Sequence, residues 1–223
     1  NDKFEDVELI STSDLIKEIR KVKEGKEIDK IKKAVEITDQ AFDHILDFIK
    51  PGMTEREVAL ELEYYMKKRG AEKNAFDFIV ASGERSSMPH GVASEKKIEK
   101  GDFVTMDFGT FYQGYCSDMT RTIVMGEPSE KQKKIYNIVL HAQKAVIDKI
   151  KPGMTGKEVD AIARDIIKEE DYGDNFGHGL GHGIGVEVHE GPGASYRSDD
   201  VLKPGMIVTD EPGIYIPEWG GVR

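Results

Sequence analysis

Apolar residues recur in steps of three and four from Ile28 to Ile49, through Ile31, Ala34, Val35, Thr38, Ala41, Phe42, Ile45 and Phe48. That spacing makes one stripe of an amphipathic helix, and Lys50-Pro51-Gly52 ends it. A second helix is predicted from Thr54, which with Glu57 three residues on reads as a capping box. It runs through Val58, Leu62, Tyr65 and Met66 to Gly70. The pattern then returns: DFIKPGMTEREV (47–58) reappears as DKIKPGMTGKEV (148–159). A long helix over roughly 129–150, striped by Ile135, Ile138, Val139, Ala142, Ala145 and Val146, leads into the second copy. A shorter helix with Val159, Ile162, Ala163 and Ile166 follows it. Helix, KPGMT, helix thus occurs twice, at a separation too long for a solenoid. Two similar halves facing each other across a shared site are expected; a common Pro-Gly turn used twice is the plainer alternative.

Between and after the helices lie strand-like runs: AFDFIVASG, DFVTMDFGTFY, YCSDMTRTIVM, GVEVH and GMIVTDEPGIYI. Helical pairs alternating with hairpins favour an α+β domain with a largely antiparallel sheet. VTMDFGTFYQGYCSDMTRTIV reads as two strands turning at Gln113-Gly114. In that register Asp107 faces Thr120, and Asp118 is the next neighbour of Thr120 on the same face. A slide of two residues would set the aspartates directly opposite each other.

Composition narrows the classes. An apolar fraction of 38% supports a core, and the periodicity of the charged residues argues against disorder. A net charge of −10 argues against a nucleic-acid binder, which needs a basic face. Cys116 is the single cysteine, so no internal disulfide forms, which fits a reducing compartment such as the cytoplasm. No apolar run reaches the ~20 residues of a membrane span, and no signal peptide is visible. The polar opening NDKFEDVEL without an initiator Met is expected of an excised domain or a processed product.

Two carboxylates on one hairpin face raise each other's pKa unless something positive sits between them. A divalent cation with oxygen ligands is one answer. A proton-sharing acid/base pair is another, and two solvated residues on an open face a third. Three of the six histidines lie in FGHGLGHGIGVEVHEG (176–191), at 178, 182 and 189. The alternating glycines forbid a stable helix, and in an extended chain positions four apart share a face. His189 reaches the same centre only if the chain bends near Gly183-Ile184-Gly185. The glycines are expected to let another chain, such as an incoming peptide, approach the backbone. Glu211 closes an apolar run before Pro212, as a functional acid or as part of a turn. HEGPG is not HExxH, and neither GK[ST] nor GxSxG occurs.

In order and spacing, PHG (89–91), MDFG (106–109), SDMTRT (117–122), GHGIGVEVHE (181–190) and EPGIYIPEWGGVR (211–223) resemble the pita-bread metallopeptidases. These are the methionine aminopeptidases, aminopeptidase P, prolidases and creatinases. The resemblance runs from about Glu24 to the last residue and implies two pseudo-symmetric halves around a curved, mostly antiparallel sheet. It implies two divalent ions, with Mn, Co, Zn and Fe all open. Asp107 would ligate one ion in bidentate fashion, Asp118 and Glu211 would bridge, and His182 would be the single histidine ligand. His90 and His189 would bind substrate and stabilise the tetrahedral intermediate; Glu211 would also relay a proton. His178, Tyr215 and Arg223 would lie on the substrate side. The implied reaction is attack on the first peptide bond by a hydroxide held between the ions, on a peptide with a free N-terminus.

GHGLGHG and SGERSSMPHG resemble the Xaa-Pro branch, prolidase and aminopeptidase P, more than the methionine enzymes. A methionine aminopeptidase and a non-catalytic peptide-binding module of the same fold are the alternatives. Residues 1–25 resemble the linker and first helix after an additional N-terminal domain, with 26–223 the catalytic domain. The family carries a further glutamate ligand within two residues of GGVR, whereas this sequence ends at Arg223. The expectation is a C-terminally truncated form that binds metal weakly, or a chain that continues, homodimeric at full length.

Overall fold

The two KPGMT copies fold into one local structure used twice. In the computed structural model, which describes residues 12–223, helix α1 (Ser13–Lys21) precedes α2 (Gly25–Phe48), and the first copy joins α2 to α3 (Glu55–Lys68). The second copy joins α4 (Glu130–Lys149) to α5 (Gly156–Glu169). Both capping boxes form. Thr54 Oγ1 accepts from Glu57 N at 3.1 Å while Thr54 N donates to Glu57 Oε2 at 2.7 Å. Thr155 and Glu158 repeat the exchange at 3.2 and 2.7 Å. Gly52 and Gly153 share a φ of +94°, a conformation that glycine adopts without strain. Their N–H groups donate to Ile98 O and Leu202 O, and Ile98 N and Leu202 N donate back to Met53 O and Met154 O.

Six strands lie between the helical pairs: β1 (Lys73–Asn74), β2 (Ile79–Ser82), β3 (Phe103–Phe108), β4 (Thr110–Tyr112), β5 (Tyr115–Cys116) and β6 (Met119–Val124). After α5 come β7 (Gly181–Gly183), β8 (Glu190–Ala194), β9 (Ile214–Ile216) and β10 (Gly220–Val222). The orders are β2-β3-β6, β1-β4-β5, β7-β8 and β10-β9, every pairing antiparallel. The hairpin takes the register predicted from its turn. Gln113 and Gly114 have φ of 46° and 88°, and Asp107 faces Thr120.

Strand β3 joins two cores. Alternate side chains point to opposite faces, so Val104, Met106 and Phe108 enter the core of α2 and α3, with Ile37, Ile45, Val58, Leu62 and Met66. Phe103 enters the core of α4 and α5, with Ile135, Val139, Val159, Ala163 and Ile167. Asp107 belongs to the Phe103 set and is thereby aimed away from the first core, between the halves.

Three strand expectations are corrected. GVEVH forms no strand: residues 185–189 are a bend. The register of β7 with β8 shifts at His182/Gly183, so pairing resumes only at Glu190 opposite Gly183. Within GMIVTDEPGIYI only Ile214–Ile216 is a strand; Met206 and Val208 make isolated bridges, and Pro212 has no N–H to give. Within AFDFIVASG the strand is Ile79–Ser82. Of the segment expected as linker and first helix, residues 1–11 lie outside the described residues. The rest is α1 and a packed strap, in which Val22 bridges Met206 and Lys23 N donates to Gly205 O at 2.9 Å. No helix among the described residues is long and apolar enough to cross a membrane.

Candidate metal centre and active site

Each half contributes two acidic or imidazole groups to one place. Asp107 comes from β3 and Asp118 from the residue before β6, both on the first hairpin. His182 lies at the middle of β7, and the 209–211 segment runs alongside. His182 N donates to Thr209 Oγ1 at 3.0 Å, Thr209 N to His182 O at 2.8 Å, and Glu211 N to Leu180 O at 2.8 Å. That pairing requires a glycine at 181, because a Cβ there would run into the Thr209 carbonyl. One ligand atom each from Asp118, His182 and Glu211 lies within 4.8 Å of the others. His182 Nε2 is 3.3 Å from Asp118 Oδ2 and 3.2 Å from Glu211 Oε1.

The donor set fits a cation. Glu211 Oε1 and Asp107 Oδ1 are buried without a hydrogen-bond partner, a costly state that a positive ion would relieve. Glu211 Oε1 stands at ion-pair distance from His182 but is misaligned for a hydrogen bond. His182 Nδ1 is 3.0 Å from Gly183 O, which can only accept. The proton on Nδ1 is thereby fixed, and Nε2 faces the carboxylates as a ligating atom would. Burial opposes charge on His182, but Asp118 and Glu211 outweigh it and raise its pKa to about 10. Burial, Asp118 and Glu211 push the Asp107 carboxyl upward against the opposing pull of Arg223. Burial works to raise Glu211, yet His182 and Arg223 hold it at about 2. Without an ion, protonated His182 and Arg223 supply the positive charge these carboxylates demand.

The remaining predicted residues divide by what they touch. Arg223 forms a buried ion pair with Asp107 Oδ2, donates from Nε to Thr120 Oγ1 at 2.8 Å, and lies 3.7 Å from Glu211 Oε2. It thus contacts the carboxylates directly and occupies one of the two Asp107 oxygens. Both ring nitrogens of His178 are engaged: Nδ1 donates to Gly179 O at 2.7 Å, so Nε2 accepts from Tyr215 Oη at 2.9 Å. Burial keeps the Tyr215 hydroxyl protonated, pushing it up to about 12. The bend at 185–189 carries His189 back until its ring centroid is 4.3 Å from that of His182. His189 stays partly open to the cavity; its partial desolvation and the charge on His182 both push its pKa below its ordinary value. His90 is exposed on the turn after Gly83–Ser87. All nine predicted residues line one cavity of about 810 Å³.

Residues 29–223 match metallopeptidase family M24. The chain belongs to that family. It is 56% identical over 216 residues to an Xaa-Pro dipeptidase of Pyrococcus furiosus, covering 97% of this chain and 62% of that protein. It is similar to the solved structure of an Xaa-Pro dipeptidase from Bacillus anthracis, with 60% identity, a TM-score of 0.96, and 98% of this chain and 61% of that one covered. A solved X-Pro aminopeptidase from Thermotoga maritima matches at 50% identity and a TM-score of 0.94, over 100% of this chain and 63% of that one. The expected pita-bread fold is therefore the fold, and the chain spans about three-fifths of the length of these M24 relatives.

One sequence expectation about the site is corrected. The glycines of GHGLGHGIG give clearance mainly to the protein's own chain. Gly183 abuts the Gly191 backbone, Gly179 abuts Ser195, and Gly185 receives the Glu190 carboxylate. Sequence reading also missed Phe76, Asp77, Asp174 and Pro217 on the cavity wall. Phe76 and Asp77 fall in a run that reads only as strand, Asp174 and Pro217 in short turns, and only the fold brings them there.

Proposed function

We propose that this chain is the metal-binding catalytic part of an enzyme that hydrolyses the N-terminal Xaa-Pro bond of dipeptides or short peptides. The observation that carries the reading is the Asp118–His182–Glu211 cluster, with Asp107 beside it, in one cavity of an M24 chain. Asp107, Asp118, His182 and Glu211 would hold divalent cations, manganese and cobalt among them. A bound cation would supply Lewis-acid activation of water and of the scissile carbonyl. The chain supplies the rest. Neutral His189 donates a ring N–H to the carbonyl oxygen as it gains charge. The Glu211 carboxylate takes the proton that the attacking water gives up and passes it to the departing proline nitrogen. Asp77 and Asp174 add negative charge to the cavity wall, which favours a free substrate amine. Phe76, Ile79, Pro89 and Pro217 add apolar surface suited to a pyrrolidine ring. The relatives' names support Xaa-Pro specificity over methionine removal. A homodimer at full length and a cytoplasmic setting fit the same reading, the latter with buried, unpaired Cys116.

The test is an assay of Xaa-Pro dipeptides, longer Xaa-Pro peptides and Met-Ala peptides with added Mn²⁺ or Co²⁺. Metal-dependent cleavage confined to Xaa-Pro substrates is expected. Preferential cleavage of Met-Ala peptides would reassign the chain to methionine removal. Peptide binding without turnover by the metal-loaded protein would make it a binding module.

A further inference from the structure

Residue 190 follows His189 directly, and its carboxylate is among the most heavily tied groups in the molecule. Its side chain is only 7% exposed. Lys23 Nζ, itself 2% exposed, lies 2.8 Å from Oε1, and Arg20 Nη2 donates to Oε2 at 2.6 Å. Glu187 N, in the bend, donates to the same Oε2 at 3.3 Å. The carboxylate also lies so close to Gly185 that a Cβ there would collide with it. The Glu190 side chain thus folds back over the 185–189 bend, holding it at Glu187 and packing against Gly185. Lys21, on the same helix end, pairs with Asp200 at 2.7 Å, and Asp200 accepts from Gly193 N at 3.0 Å. The last turn of α1 and its strap thus tie down β8 at two points.

His189 has no comparable tie of its own. Among the described residues its ring makes no side-chain hydrogen bond, and it lies against the His182 ring, with the centroids 4.3 Å apart. Its placement follows from the backbone at 188–190. Burial favours the neutral form of Glu190, but the hydrogen bonds from Lys23 and Arg20 keep its pKa below the ordinary value. The pair is ionic and enclosed, a setting in which removing one partner leaves a buried charge uncompensated.

We propose that Glu190, clamped by Lys23 and Arg20, is the positioning residue for His189, so that α1 and its strap are part of the catalytic apparatus. This rests on the reading of His189 as the group that meets the substrate carbonyl. A cycle of E190Q and H189A in the metal-loaded enzyme tests it. The readouts are kcat and KM on an Xaa-Pro peptide, and the ring ¹H–¹⁵N resonances of His189 and His178. E190Q is expected to lower kcat about tenfold or more with KM held within about twofold, and to cost less than about twofold when His189 is already Ala. The His189 resonance should shift and broaden while that of His178 stays in place. K23M should reproduce these effects if E190Q fails to fold, and K23R, which keeps the charge, should lose less than K23M. An equal loss in both His189 backgrounds, or an unmoved His189 resonance, would overturn the proposal. If the parent enzyme turns over no Xaa-Pro peptide, the functional reading fails by itself, and the resonances still decide whether Glu190 positions His189.

Discussion

At the head of α3 stands Glu55; at the same place in α5 stands Gly156. The backbone around the two is alike. Glu55 N donates to Lys96 O and Gly156 N to Asp200 O, while Arg56 N and Lys157 N donate to Ser94 O and Ser198 O. The side chains diverge. The fully buried Glu55 carboxylate accepts from Ser82 N, Ser94 N and Arg85 Nε at 2.7, 3.1 and 3.1 Å. That network fixes the loop leading to His90. Gly156 can do nothing of the kind, because Gly193 O and Ser198 fill the space a side chain would take. The second half instead uses Asp160, one turn later. Asp160 accepts from Leu180 N at 2.9 Å and from Arg164 Nε at 2.6 Å, and Arg164 Nη2 donates to His178 O at 2.6 Å. The halves share a chain path and solve the same problem, holding a histidine-bearing loop, with different residues. Their contributions to the centre differ likewise: two aspartates from one, a histidine and a glutamate from the other.

If that division is real, neither half can act alone. D118A and H182A should each lower kcat/KM by about a thousandfold or more, because each removes a donor from the cation site. Retention of a double-digit percentage of activity by H182A would remove His182 from the ligand set. Metal content of the purified variants gives an independent reading of the same point.

The next effect concerns stability. E55A would strip partners from Ser82, Ser94 and Arg85, and D160A from Leu180 and Arg164. Each should destabilise by about 3 kcal/mol in urea unfolding, the scale for a broken buried charged network. A D160A loss near that of E55A would show that equivalent roles moved along the helix. A small D160A loss would make the Glu55 network a feature of the first half alone.

How much of this was legible beforehand follows a physical line. The helices and caps were readable because their signals are local: a 3.6-residue stripe and a Thr-x-x-Glu box. The hairpin register was readable because the Gln113-Gly114 turn fixes every pair beyond it. GVEVH misled because alternation is a local pattern while strand pairing needs a partner, and the shift at His182/Gly183 leaves Val186 exposed rather than paired. The four candidate ligand residues were singled out through the family motifs; the geometry of two aspartates on one face left metal, shared proton and open solvent all standing. Lys23, Arg20 and Asp160 gave no signal, since a charge on a helix usually means a solvated face, and burial is decided by elements distant in sequence.

A smaller effect separates the ion from the proton. In the metal-free protein His182 stays protonated up to about pH 10 through the pull of Asp118 and Glu211. A cation at Nε2 must displace that proton, so apparent metal affinity should climb by about tenfold per pH unit between about pH 7, to which burial raises the Asp107 carboxyl, and about pH 10, steeper below that window and flat above it. The sign is opposite for the metal-free fold. A raised histidine pKa stabilises fully below about 6.5, the unfolded value, and that contribution is lost as pH rises through about 10. Between about pH 7 and 10, calorimetric titrations in two buffers of different ionisation heat should register about one proton released per ion bound at this site. Affinity that does not change with pH would place the ion away from His182.

The smallest expected effect tests the symmetry most directly. Thr54 and Thr155 cap their helices with hydrogen bonds that differ by only 0.1 Å, 3.1 against 3.2 Å. Both are followed by the reciprocal glutamate and preceded by a glycine of the same φ. T54A and T155A should therefore each cost about 1 kcal/mol, and the two costs should agree within about 0.5 kcal/mol. Because the caps lie far apart in the chain and share no partner, T54A/T155A together should show the sum. Equal single costs that add would mean that the KPGMT repeat is energetic as well as geometric. A cost at Thr54 well above that at Thr155 would mean that Glu55, next to Thr54 and holding its own network, has made the first cap part of a larger unit that Gly156 cannot join.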